Sequence, residues 1–181
     1  YGVGYMGNNP KLKSSCNGKK CPIYDTWYRI IERCYSKKVH ERFPTYIGCY
    51  TSEEFTDYSK WRIWYDNYQY KHEGWQLDKD LLVKGNKIYS SETCVFLPHI
   101  INSVLTKSNK TRGKYLIGAY FDTHNNKFKA HISKRGKNTT LGYFENEIDA
   151  HLAYKEAKED YLKELADEYK DMLDPRAYNA L

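Results

Sequence analysis

Ten charged side chains lie between Lys107 and Gly142, and nine are basic: Lys107, Lys110, Arg112, Lys114, Lys127, Lys129, Lys134, Arg135 and Lys137, with Asp122 the one acid. Bases at this density are the footprint of a polyanionic partner, because each phosphate they neutralise releases condensed counterions. A solvated, lysine-rich surface has the same composition, so spacing must separate the two readings. Over Lys127–Ser133 the polar and apolar residues alternate, which sets Phe128, Ala130 and Ile132 on one side of a strand and Lys129, His131 and Ser133 on the other. Parity and charge add Tyr120, Asn138 and Thr140 to that second, open face and put Lys114, Lys127, Lys134, Arg135 and Lys137 at its rim. Such face residues can bond base edges, Asn138 to adenine and Ser133 or Thr140 to donors or acceptors. Rim lysines grip phosphates and set register without reading sequence. The partner expected from this chemistry is double-stranded DNA.

Cysteine offers a second chemistry. Cys16, Cys21, Cys34, Cys49 and Cys94 are an odd, scattered set, a poor disulfide framework that points to a reducing cytoplasm. A structural zinc on the first four is conceivable, but they lack the short-spaced pairs usual for such sites. Tyr1-Gly2-Val3-Gly4-Tyr5 carries neither the basic lead nor the apolar stretch of an export signal. A mean hydropathy of -0.85 and the absence of a long apolar run exclude a transmembrane segment, and the chain expects no membrane partner. Aromatic residues make up 16% of the chain, more than a segment without burial partners usually carries, so disorder is not expected.

The elements that must position these residues follow from periodicity. Residues 1–22 read as an extended arm or loop. Trp27, Ile30, Ile31 and Cys34 share one face of a helix over Tyr24–Tyr35, with Asp25 near its start. Thr51 or Ser52 begins another helix, with Glu53 and Glu54 in its first turn and Phe55, Tyr58, Trp61, Trp64, Tyr65 and Tyr68 along one stripe that reads as core rather than as a binding platform. Trp75–Val83 has the alternation of a strand, Ile88–Ser90 and Cys94–Leu97 are short extended pieces, and Ile100–Leu105 is helical. Thr106–Gly113 holds no apolar residue and reads as a linker, which divides the chain into 1–105 and 114–181. Beyond it come strands over Lys114–Phe121, Lys127–Ser133 and Thr139–Phe144, then a helix from Glu145 bearing Ile148, Leu152, Ala153, Ala157, Tyr161, Leu162 and Leu165 at a period near 3.6. That helix can cover the apolar face of the sheet. The expected class is α+β, the second part being a three-stranded antiparallel sheet packed on one long helix.

Gly118-Ala119-Tyr120-Phe121, Lys127-Phe128-Lys129-Ala130-His131-Ile132, Leu141-Gly142-Tyr143-Phe144 and Glu147-Ile148-Asp149-Ala150-His151-Leu152-Ala153-Tyr154 together resemble the APETALA-type (ethylene-response) DNA-binding domain. The resemblance implies a sheet laid in the DNA major groove with the helix behind it. Plant members read guanines with arginines on that face, and this chain has none there, which implies a less GC-directed site or weak specificity. The first part resembles the phage HNH-type endonucleases that carry such a domain at their C-terminus. The resemblance rests on Trp27 with Arg33-Cys34-Tyr35, Pro44-Thr45-Tyr46 with Gly48-Cys49, Trp61 with Trp64, and the run from Trp75-Gln76-Leu77-Asp78-Lys79-Asp80 through Tyr89-Ser90-Ser91-Glu92-Thr93-Cys94. It implies a degenerate ββα-metal-related module in which Asp78 falls on the metal-ligand aspartate, Lys79 replaces the general-base histidine, and Thr93 stands where the pattern has asparagine. The implied metal set is Asp78, Asp80 and His99, holding Mg2+ or another divalent cation at the scissile phosphate. His72, His131 and His151 are the other candidate ligands or bases.

Three readings stay open at this level. The chain is a metal-dependent DNA endonuclease, or a non-catalytic DNA-binding or host-factor-binding protein on a degenerate nuclease fold. Alternatively, its acidic helix docks on a host protein, since Glu145–Asp171 carries ten acids against four lysines. Acids on an outer helical face are more often plain solvation.

Overall fold

A computed structural model describes residues 1–16, 18–106 and 114–181, and contacts group the chain into two units, Tyr1–Phe96 and Leu97–Asn179. The architecture is α+β. Residues 107–113, on which most of the expected linker and the bases Lys107, Lys110 and Arg112 fall, lie outside the description, as does the side chain of Cys16.

The first unit opens with two short paired strands, β1 (Ser15–Cys16) and β2 (Lys19–Lys20). Helix α1 (Pro22–Tyr35) starts on Pro22, whose missing N–H is no loss in a first turn, and Asp25 there pairs with Lys20 and Arg29. The expected face is the buried one: Trp27, Ile30, Ile31 and Cys34. Ser36 then caps α2 (Lys37–Arg42), a helix that lacks a buried face and so left no periodic signal in the sequence. A short 3-10 turn, Pro44–Tyr46, leads to β3 (Tyr50–Thr51).

The helix expected from residue 51 or 52 onwards is two helices. Ser52 caps α3 (Glu53–Thr56), and the carboxylate of Asp57 interrupts the run by capping α4 (Tyr58–Asn67), accepting from the amides of Ser59 (2.8 Å) and Lys60 (3.4 Å). The amino-terminal arm is pinned at this break: Tyr5 donates its amide to the Thr56 carbonyl and accepts from the Tyr58 amide. Phe55, Tyr58 and Trp61 are buried, and their rings meet Trp27, Tyr24, Trp64 and Tyr65 at centroid distances of 4.8 to 5.2 Å, within the favourable range for aromatic pairs. The buried Trp27 indole donates to the Phe55 carbonyl at 2.7 Å, tying α1 to α3.

The strand expected over Trp75–Val83 shortens to β4 (Gln76–Asp78), because the Asp78 carboxylate turns back to accept the amides of Asp80 (2.8 Å) and Leu81 (2.7 Å) and bends the backbone out of extension. Strand β5 (Ile88–Tyr89) pairs in parallel with β3, and β6 (Val95–Leu97) pairs with β4.

In the second unit α5 (His99–Leu105) packs against α6 (Glu147–Glu168), the long helix behind an antiparallel sheet of order β7-β8-β9. Strand β7 (Ala119–Asp122) begins later than the sequence alternation suggests, because Gly118, at φ +82°, turns the chain just before it. Strands β8 (Lys127–Lys134) and β9 (Lys137–Phe144) are joined by a tight turn with Arg135 at φ 50° and Gly136 at φ 76°. Ala119, Ala130 and Ala150 form the contact between sheet and helix, with Phe128, Leu141, Phe144 and Ala153 around them. Small residues at the centre let the backbones approach closely. Asn146 caps α6 by accepting the Asp149 amide and donates to the Asp149 carboxylate in return. A final helix, α7 (Pro175–Ala180), capped by Asp174, has no counterpart in the sequence reading, since six residues are too few to show a period.

Candidate nucleic-acid interface

Register decides which side chains share the face of the sheet opposite α6. Residues directly across a ladder point the same way. Ala119, Ala130 and Gly142 are cross-strand partners on the helix side, and so are Phe121, Phe128 and Phe144. Tyr120, Lys129 and Tyr143 therefore form one row across the open side, followed by His131 with Thr140 and by Ser133 with Asn138. All six residues assigned to the face from the sequence, Tyr120, Lys129, His131, Ser133, Asn138 and Thr140, lie on it.

Tyr143 was missed. Plain alternation from Asn138 and Thr140 sends it inward, but the register shifts by one residue between Ala130 and His131, where Leu141 is the extra residue of a bulge. Beyond the bulge the parity of β9 inverts, so Tyr143 turns outward and Phe144 inward. A glycine inside a strand, Gly142, is the signal that could have revealed it.

Lys129 is the centre of the open face. Its Nζ lies 5.6 Å from the Tyr120 ring centroid and 5.7 Å from that of Tyr143, so both rings hold it by cation–π attraction. Both tyrosines are exposed, at 38% and 44%. The Tyr120 hydroxyl beside it holds the Lys129 ammonium above the usual lysine range. Among the described residues Lys129 has no carboxylate partner at ion-pair distance. His131 packs its ring edge-on to Tyr120 at 5.3 Å, and its Nδ1 is buried without a hydrogen-bond partner.

The rim differs from a row of free cations. Lys127 pairs with Glu145 at 2.7 Å, Lys134 with Glu164 at 3.5 Å, and Arg135 with Glu168. Lys134 shares parity with Ile132, so it points toward α6 and lays its ammonium 5.0 Å from the Tyr161 ring, while the Tyr161 hydroxyl accepts the Arg135 amide. Lys137, opposite Lys134 in the ladder, is exposed, and Lys114 lies 5.7 Å from the Tyr115 ring.

The residues assigned to hydrolysis occupy a different setting in the first unit. Lys79 is 5% exposed, and its ammonium donates to the Asp80 carboxylate at 2.5 Å and to the Asn86 carbonyl at 2.8 Å. The Asn86 amide returns the bond, donating to the carbonyls of Lys79 and Ile88 at 2.7 Å each. The pair closes the loop between β4 and β5. Thr93 donates to the Ile88 carbonyl at 2.9 Å, and the Ser90 hydroxyl accepts its amide, which makes it a turn residue. Burial raises the Asp78 carboxyl above the ordinary aspartate range, against the two amides that favour its charged form. Asp80 sits on the turn after the strand, so strand alternation does not set its side chain beside that of Asp78. His99 is the exposed first residue of α5. Among the described residues no group of three His, Cys, Asp or Glu side chains converges as a metal site. Cys34, Cys49 and Cys94 are core residues, and burial pushes the Cys34 and Cys94 thiols up to about 12. His72 packs on Trp75 at 4.4 Å, and a ring nitrogen of His151 bonds the Ile117 carbonyl.

No described helix is long and apolar enough to cross a membrane. No protein-family model, curated protein or solved structure matches this chain.

Proposed function

We propose that this chain binds double-stranded DNA with the open face of β7-β8-β9 and that its first unit supports this role without cutting. The observation that carries the reading is the Tyr120–Lys129–Tyr143 row. A lysine with no carboxylate at ion-pair distance among the described residues stands between two exposed rings, on a sheet whose other face is filled by α6. Held by the rings, its ammonium loses less side-chain freedom on meeting an anion than an ordinary surface lysine does. His131, Ser133, Asn138 and Thr140 supply donors and acceptors at the spacing of a pleated ribbon, which a major groove can admit.

The resemblance to APETALA-type domains supports the same face. The HNH resemblance sets Lys79 and Thr93 at a reacting centre, but Lys79 and Asn86 spend their polar atoms on closing the loop and Thr93 on the turn after β5. An ammonium already donating to Asp80 and Asn86 is not a base waiting for water.

Fluorescence anisotropy of the full chain with a labelled random-sequence duplex tests the reading. Binding should weaken steeply with salt, and Lys129→Glu should lower affinity by about tenfold or more at low salt, as expected for exchanging a phosphate contact for repulsion. Unchanged affinity would remove the sheet face from the interface. A parallel incubation with supercoiled plasmid and Mg2+ or Mn2+ should give no nicking. Nicking that disappears in Asp78→Ala would replace the non-cutting reading with the endonuclease.

A further inference from the structure

Resting on the DNA-binding reading, we propose that the carboxylates of α6 act as an internal competitor for the phosphate backbone, withholding Lys134 and Arg135 from DNA so that fewer cations than the basic composition suggests meet phosphates. The closed end of the β8-β9 hairpin carries three bases, Lys134, Arg135 and Lys137, at the end of the open face. Two of them are occupied. Glu164 and Glu168, one helical turn apart on α6, meet Lys134 at 3.5 Å and the Arg135 guanidinium directly. The turn is also held from beneath by the Tyr161 hydroxyl, which accepts the Arg135 amide, and the Tyr161 ring lies under the Lys134 ammonium. These contacts fix both side chains toward the helix rather than toward the face. Glu168 holds the Arg135 guanidinium above its ordinary range, in keeping with a direct charge-assisted pair.

Each such exposed pair is weak in water, so a phosphate can displace the carboxylate, but it must give up an existing attraction and meet the glutamate left behind. Glu164 and Glu168 thus reduce affinity for any polyanion at the hairpin end while forming no ion pair with Lys129 of the Tyr120–Lys129–Tyr143 row. The consequence is a bias toward contacts on the face, where bases are read, over contacts at the turn, where only charge is read.

The test compares four full-chain proteins in duplex binding across a salt series: wild type, Glu164→Gln with Glu168→Gln, Lys134→Met with Arg135→Gln, and all four substitutions together. Circular dichroism confirms that each is folded, since exposed Glu→Gln changes preserve size. The double glutamine variant should bind about tenfold more tightly at low salt, with a logarithmic salt slope steeper by about two, at ~0.9 for each phosphate newly contacted. Removing Lys134 and Arg135 from the wild type should change affinity less than about twofold, and should abolish the gain in the glutamine background. Equal or weaker binding by the glutamine variant, or a large loss on removing the two bases from the wild type, would overturn the inference while leaving DNA binding intact. Absence of any salt-dependent duplex binding by the wild type would instead sink the DNA reading, and this inference with it.

Discussion

The packing of Gly118 against Tyr154 sets a quantitative expectation for the second unit. Gly118, just before β7, lies at φ +82°, and a Cβ built there would collide with the root of the Tyr154 ring on α6. Replacing it by alanine therefore carries two penalties. The positive φ costs about 1–2 kcal/mol once a Cβ is present, and forcing the half-buried ring aside adds the ~1–3 kcal/mol typical of overpacking. Gly136 separates them, because it has a similar φ of +76° with nothing within 4 Å of its notional Cβ. Gly136→Ala should lose only the conformational part, about 1–2 kcal/mol, and Gly118→Ala about 3 kcal/mol, a large share of the ~5–15 kcal/mol that stabilises a domain. Urea unfolding of the full chain followed by hydrogen exchange of the β8 amides reads both, as does thermal melting, where the Gly118 variant should fall by about 12 °C or more. Adding Tyr154→Ala should cost less in the Gly118→Ala background than in the wild type, since the clash is then gone. If Gly118→Ala is no worse than Gly136→Ala, the ring does not pack where it is placed, and the sheet is not held on α6 in this way.

Two further expectations concern the first unit. Asp78 titrates above the ordinary aspartate range because burial disfavours its charge. The unfolded chain then releases its proton first as pH rises, so folded stability falls from the usual aspartate pKa upward until the shifted folded pKa is passed, and stays lower beyond it. Asp78→Asn keeps an oxygen for the amides of Asp80 and Leu81 and removes the buried charge. It should raise the melting temperature at pH 7.5 and leave it nearly unchanged at pH 3, and a lower melting temperature at pH 7.5 would refute the account. Iodoacetamide under native conditions should label the half-buried Cys21 well before Cys34 and Cys94, whose thiols burial pushes up to about 12. Mass spectrometry of the digests distinguishes this order from uniform labelling, which would contradict their burial.

The open face of the β7-β8-β9 sheet was largely legible because it depends on local rules. Period-two alternation across Lys127–Ser133 sorts inward from outward residues without knowledge of any partner. The stripe of Trp27, Ile30, Ile31 and Cys34 was legible for the same reason at a period of 3.6. Asp57 was harder to read: an acid in the middle of a helical run looks like a surface residue until Tyr5 arrives to pair with the exposed backbone at the break. Lys79 was harder still: the HNH resemblance sets it at the general-base position, and no local pattern shows that its ammonium is buried and bonded to Asp80 and to the Asn86 carbonyl.

Sequence alone determined the α+β class, the basic and acidic blocks, the helical stripe of α1, and the sense in which β8 presents its two faces, because each arises from neighbours within a turn or a strand. Tertiary structure decided that Tyr143 joins Tyr120 around Lys129, since a one-residue bulge inverts parity only relative to a partner strand. It also decided that Lys134 and Arg135 answer to Glu164 and Glu168, 30 and 33 residues further along. Charge composition is additive along a chain, but which charges remain available to a ligand depends on pairings that form only when distant segments meet.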